Sequence, residues 1–159
     1  MLALRFVSVA ALIVWLGGAV AVAGIVAPAA FDVLPASEAA TMVGEALRRF
    51  HLVGYVAGAA LIAALAGAAL LGPRPMAFWA RLWIAAVMLA ATLASGLWVN
   101  PRVAALRTDP GAAARGPAWR ASFARWHGAS LALMALTVAG GLVLVYWDVR
   151  SAVAAERDS

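Results

Sequence analysis

The chain has 159 residues, of which 66% are hydrophobic and 12% charged, with a mean hydropathy of +0.95. A water-soluble domain carries about 45–50% apolar and 25% charged residues, so one compact core of this size cannot hide the excess, and lipid is the expected solvent. The formal net charge of +5 comes from twelve Arg and no Lys, set in short clusters between apolar runs as headgroup-facing residues are, which argues against nucleic-acid binding.

A membrane-crossing helix needs about 20 mainly apolar residues, and four segments meet that length. The first runs from Phe6 to Ala27, before Pro28. Its start resembles a secretory signal peptide, but 22 residues with Trp15 among them exceed an apolar signal core of about 7–15, so a retained helix is expected. Gly17, Ala21 and Gly24 place small side chains on one side of this helix, and Asp32 follows it.

Pro35-Ala36-Ser37-Glu38 reads as a helix N-terminus, with Ser37 as N-cap and Glu38 favoured by the helix dipole. From there Met42, Val43, Ala46, Leu47 and Phe50 repeat at helical spacing between Glu45, Arg48 and Arg49, which predicts an amphipathic lead-in at the membrane interface. The second span covers 50–71, with His51 at its start and Gly54 and Gly58 four residues apart inside it. Residues 73–75 form a Pro-Arg-Pro link too short for anything but an antiparallel neighbour. The third span covers 76–100, with Arg81 near its start and Pro101 at its end. Residues 101–118 are the longest predicted loop, with a turn at Asp109-Pro110-Gly111. Trp119, Arg120, Phe123 and Arg125 form an aromatic and basic approach to the fourth span, 126–147, which contains Gly140 and stops at Asp148.

The predicted fold is all-α: an integral membrane antiparallel four-helix bundle in a single domain, 1–159, with no internal repeat evident. Gly17, Ala21, Gly24, Gly54, Gly58 and Gly140 are expected to let helices pack closely inside the bundle, with self-association as the alternative. Connectivity puts both termini and the Pro73–Pro75 link on one face and residues 28–49 and 101–125 on the other, the loop face. Five Arg fall on the terminal face and seven on the loop face, a lean towards a cytoplasmic loop face. The expected location is the bacterial inner membrane, multi-pass, with both termini on one side. The lipid bilayer is the expected partner, and a homo-oligomer or a membrane partner remains open.

Chemistry concentrates at the loop face. His51 and His127 each sit second in a span that starts there and so at nearly one depth, Asp32 follows the first helix on that face, Asn100 with Arg102 closes the third, and Arg125 and Ser130 are close in sequence. Together they form a candidate polar mouth, since ionisable groups near a membrane interior usually face the bundle or a cavity. Three readings compete. Each His caps local backbone or meets headgroups; or His51 and His127 ligate haem b or copper, as neutral imidazole can; or the mouth admits an ion or a small anionic solute drawn by Arg. No cofactor is predicted on the first and third readings. An enzyme is disfavoured: there is no Cys, no carboxylate pair within the spans and no His-x-x-x-His helix, and Met42, Met76, Met88 and Met134 are scattered like core filler. Thr92, Ser95, Ser130 and Thr137 are expected to bond back to their own helices.

Five segments carry a family resemblance: Trp15-Leu-Gly-Gly18, Ala27-Pro-Ala-Ala-Phe31, Arg49-Phe-His51, Trp98-Val-Asn-Pro-Arg102 and Arg125-Trp-His-Gly-Ala-Ser130. In this order, over roughly residues 8–147, the chain resembles the small four-helix transmembrane protein 205-like family, which includes the bacterial domain of unknown function 4149. The resemblance implies a membrane protein without a settled activity and puts weight on Asn100, Arg102, His127, Gly128 and Ser130. It implies Tyr or Phe where this chain has His51. The expected function is therefore a binding, transport-related or structural membrane component, with haem or copper binding at the mouth as the alternative.

Overall fold

The computed structural model describes residues 2–72, 76–108 and 116–157, with side chains as far as 153. The Pro73–Pro75 link and the Asp109-Pro110-Gly111 turn lie outside the described residues. Among those described, four helical units are long and apolar enough to cross a membrane: Leu2–Val33, Ala36–Leu71, Phe78–Arg107 and Gly116–Val153. The chain is a multi-pass membrane protein built as a four-helix bundle. Its outer surface is a belt of exposed apolar side chains, such as Ile13, Val56, Leu97 and Leu142. Water would penalise that surface, whereas in lipid it costs nothing, and each helix satisfies its own backbone.

Two units run past the prolines expected to stop them. The first consists of α1 (Leu2–Ala21), a π-helical turn (Val22–Val26) and α2 (Ala27–Val33). The third consists of α4 (Phe78–Ala94), a π-helical turn (Ser95–Val99) and α5 (Asn100–Arg107). A proline ring inside an α-helix clashes with the carbonyl four residues back and removes one hydrogen bond. Here the Ala27 N–H bonds to the Val22 carbonyl and the Asn100 N–H to the Ser95 carbonyl, five residues back. Each wider turn places Pro28 or Pro101 at the start of a fresh α-segment, where a missing donor matters least. The predicted loop from residue 101 is thus helical as far as Arg107.

The second unit is one helix, α3 (Ala36–Leu71), and it joins the amphipathic lead-in to the span without a break. Its N-cap is Pro35 rather than Ser37: the Pro35 carbonyl accepts the N–H groups of Glu38 and Ala39, and no side chain caps the end. Ser37 already lies in the first turn, and its carbonyl accepts the Thr41 hydroxyl. The fourth unit, α6, runs over Gly116–Arg157 and absorbs the predicted approach segment. It opens on Gly116 at φ +52°, a conformation that favours glycine.

Packing centres on Trp15, fully buried, with Leu12, Leu61, Ala85 and Met88 around it. Gly54 and Gly58 let α3 close on this indole. A Cβ at Gly58 would lie 2.8 Å from Trp15 and 2.9 Å from Leu89, and one at Gly54 would lie 3.1 Å from Trp15 and from Thr92. Gly140 seats Met88 and Gly141 seats Leu16, so α6 closes on α4 and α1 in the same way. Close van der Waals contact of this kind replaces hydrophobic burial as the adhesive in lipid. Gly17 and Gly24 do not take part: both are exposed with open space beyond them, and Ala21 is only half-buried. The Trp15 face of α1 carries the packing instead. At the far end of the bundle, Arg81 on α4 is buried and paired with Asp148 on α6, and its second nitrogen donates to Ser151 at 3.0 Å.

A repeated order of elements, barely marked in the residue string, emerges from these units. Each half is a helix, a π-helical turn, a proline, a short helix and then one long helix. With Pro28 set on Pro101, the buried residues Ser8, Leu12, Trp15 and Ala19 fall on the buried residues Arg81, Ala85, Met88 and Thr92. With His51 set on His127, the buried residues Gly54, Leu61 and Leu65 fall on the buried residues Ser130, Thr137 and Gly141. The two halves thus share their order of elements and part of their burial pattern.

Candidate functional site

The loop end of the bundle holds a short polar chain that crosses three of the four units. His51 is only 4% exposed, and its Nδ1 lies 2.6 Å from the Leu47 carbonyl. A carbonyl can only accept, so Nδ1 carries the proton and Nε2 presents a lone pair. The Asn100 amide nitrogen approaches Nε2 at 3.5 Å, and the Asn100 carbonyl oxygen accepts the Ser130 hydroxyl at 3.0 Å. Each donor thereby meets an acceptor, from the Leu47 carbonyl through His51 and Asn100 to Ser130. Ser130 therefore bonds across to the third unit, while Thr92 and Thr137 return bonds to Met88 and Leu133 on their own helices, as expected.

The π-helical turn makes this chain possible. By adding a residue to one turn, it rotates Asn100 towards α3 and α6. It also carries Gly96, where a Cβ would overlap the Tyr55 hydroxyl and lie 2.9 Å from the His51 ring. Only a residue without a side chain lets α3 bring His51 and Tyr55 this close. Beneath the chain, a cavity of about 10 Å³, the space of one water molecule, is bounded by His51, Thr92, Ser95 and Thr137 among others.

Beside the chain, an open groove of about 360 Å³ lies between α5 and α6. Arg102, Ala105 and Leu106 form one wall, and Ser122 and Trp126 the other. The Arg102 guanidinium lies over the Trp126 ring, 4.7 Å from its centroid, and donates once to the Trp98 carbonyl at 3.3 Å. Stacking on an indole holds the charge in place while leaving other N–H groups available. The walls are pinned: the Trp119 indole donates to the Leu106 carbonyl at 2.9 Å, and Arg107 donates to the Ala40 carbonyl on α3.

Of the predicted mouth, the structure brings together His51, Asn100 and Ser130, with Arg102 on the next turn. Asp32, Arg125 and His127 are exposed, outside both chain and groove. His127 stacks on Phe123 at 5.7 Å, with Trp119 stacked on Phe123 in turn. The two imidazoles thus meet different surroundings, one inside the bundle and one on its surface. No group of three or more His, Cys, Asp or Glu side chains with metal-holding geometry occurs among the described residues. Gly96, Ser122 and Trp126 were not among the predicted mouth residues. Only the identical Arg-aromatic-His order at 49–51 and 125–127 hints in the sequence that two equivalent helix starts should be compared.

A family model described as "Domain of unknown function (DUF4149)" matches residues 10–112, well over half of the chain. That stretch includes His51, Asn100 and Arg102 and stops short of Ser122, Trp126 and Ser130. No curated protein and no solved structure matches the chain.

Proposed function

Because the chain belongs to the family described as Domain of unknown function (DUF4149), whose description names no activity, we propose a function from its geometry: a membrane binding protein whose ligand docks in the loop-end groove between α5 and α6. One observation carries this reading. The two halves share an order of elements, yet the groove and the polar residues that line it belong to the second. Arg102, Ser122 and Trp126 line the groove, where the first half has Ala29, Ala46 and Phe50 at the matching positions. Asn100 likewise stands where the first half has Ala27, and Ser130 where it has Gly54. The shared order of elements therefore does not by itself call for Arg102, Ser122 and Trp126. The wider likeness to the transmembrane protein 205-like group, which we also propose, supports the same place, since two of its segments, Trp98–Arg102 and Arg125–Ser130, border the groove.

The test is to purify the chain in mild detergent and identify co-purified small molecules by mass spectrometry, in the wild type and in Arg102→Ala. Arg102 is exposed, so its loss should leave the thermal unfolding profile unchanged. An amphiphile retained by the wild type and lost from the variant supports the reading. Identical small-molecule content in the two preparations counts against it.

A further inference from the structure

The groove also carries information about the charge and the depth of its occupant. We infer that it is a headgroup site for an anionic phospholipid of the surrounding bilayer, with Arg102 and Ser122 contacting the phosphate. This rests on the binding reading above and adds the ligand class.

Charge is the first argument. At the loop end of the first half, Asp32, Glu38 and Glu45 stand against Arg48 and Arg49, and Glu45 is bonded to both Arg at 2.8 Å. The segment from Asn100 to Trp126 holds five Arg (102, 107, 115, 120 and 125) and a single acid, Asp109. The first half neutralises itself, and the half with the groove is left strongly positive. Such a field selects anions from a membrane surface. Chemistry at short range agrees, because a guanidinium held over an indole and a nearby hydroxyl suit the oxygens of a phosphate.

Depth is the second argument, and it decides the source. Trp126 lines the groove, and an indole of this kind settles at the headgroup level of a bilayer. The wall residues Ala105 and Leu106 are apolar, and Leu97 and Leu131, five residues along the helices from Arg102 and Trp126, are exposed in the apolar belt. A phosphate in the groove would thus carry its glyceride portion towards lipid. A free phosphate would use the charge and leave that apolar route empty.

The full-length chain in detergent, titrated separately with phosphatidylglycerol, phosphatidylcholine, glycerol 3-phosphate and inorganic phosphate, tests the assignment by native mass spectrometry. Phosphatidylglycerol should bind roughly tenfold more tightly than phosphatidylcholine, a preference that one or two Arg contacts support. Arg102→Ala should remove the preference, Arg102→Lys should keep part of it, and Arg150→Ala, at the far end of the bundle, should leave it intact. Equal binding of both lipids by the wild type, with binding of each weakened in Arg102→Ala, overturns the anionic headgroup but leaves a groove ligand standing. Equal binding that Arg102→Ala does not change overturns both readings. Glycerol 3-phosphate or inorganic phosphate binding as tightly as the lipid overturns the bilayer as the source.

Discussion

Gly96 and Gly17 are the same residue type in different helical units, yet their replacement should have opposite consequences. Gly96→Ala forces a methyl group onto the Tyr55 hydroxyl and the His51 ring. Overpacking of that kind costs about 1–3 kcal/mol, which a lowered unfolding temperature in detergent would record. Gly17→Ala meets open space and should fall within about 0.5 kcal/mol of the wild type. Asn100→Ala leaves the His51 lone pair and the Ser130 hydroxyl without their bridge. A loss of about 1–3 kcal/mol is expected from groups left unsatisfied in the interior. Full stability in this variant would mean that the chain from Leu47 to Ser130 contributes little. The sequence puts His51 and Asn100 at one mouth of the bundle because both stand at span ends on the loop face. It did not reveal which of the two His faces inward, since a hairpin pattern gives both the same position and only tertiary packing distinguishes them.

Among the elements, the prolines were misjudged for a definite physical reason. A proline in a sequence signals a broken α-helix, and nothing in the residue string announces that a π-helical turn will absorb it. Pro28 and Pro101 therefore read as stops in the sequence, whereas the structure continues each helix past them and makes the groove wall at Ala105 and Leu106 helical. The Arg81–Asp148 pair was equally hidden, because two helix ends must meet before a lone Arg and a lone Asp become partners. The Arg81 side chain is 6% exposed and its Nε has no partner among the described residues, so it depends heavily on Asp148 and Ser151. Asp148→Ala should cost about 3–5 kcal/mol, the usual result of leaving a buried charge unpaired. The double variant Arg81→Met/Asp148→Leu should recover most of that loss in the same thermal assay. Equal destabilisation by the single and double variants would remove the ion pair as the cause.

For the whole molecule, hydropathy was enough to give the architecture. Four long apolar runs have few alternatives in lipid, where an unsatisfied backbone is prohibitive. The repeated order of elements is hard to read from the residues, because lipid-facing positions accept any apolar residue and the two halves share little identity. That shared order lets the loop end of one half be compared with the loop end of the other. The central claim is that only the second hairpin's loop end captures a ligand. Photo-crosslinking residues placed singly at Leu106 and at its counterpart Val33, activated in intact membranes and read by mass spectrometry of the chain, test it most directly. A defined small-molecule adduct at position 106 and none at position 33 is the result expected. The same adducts at both positions, or none at 106, would contradict it.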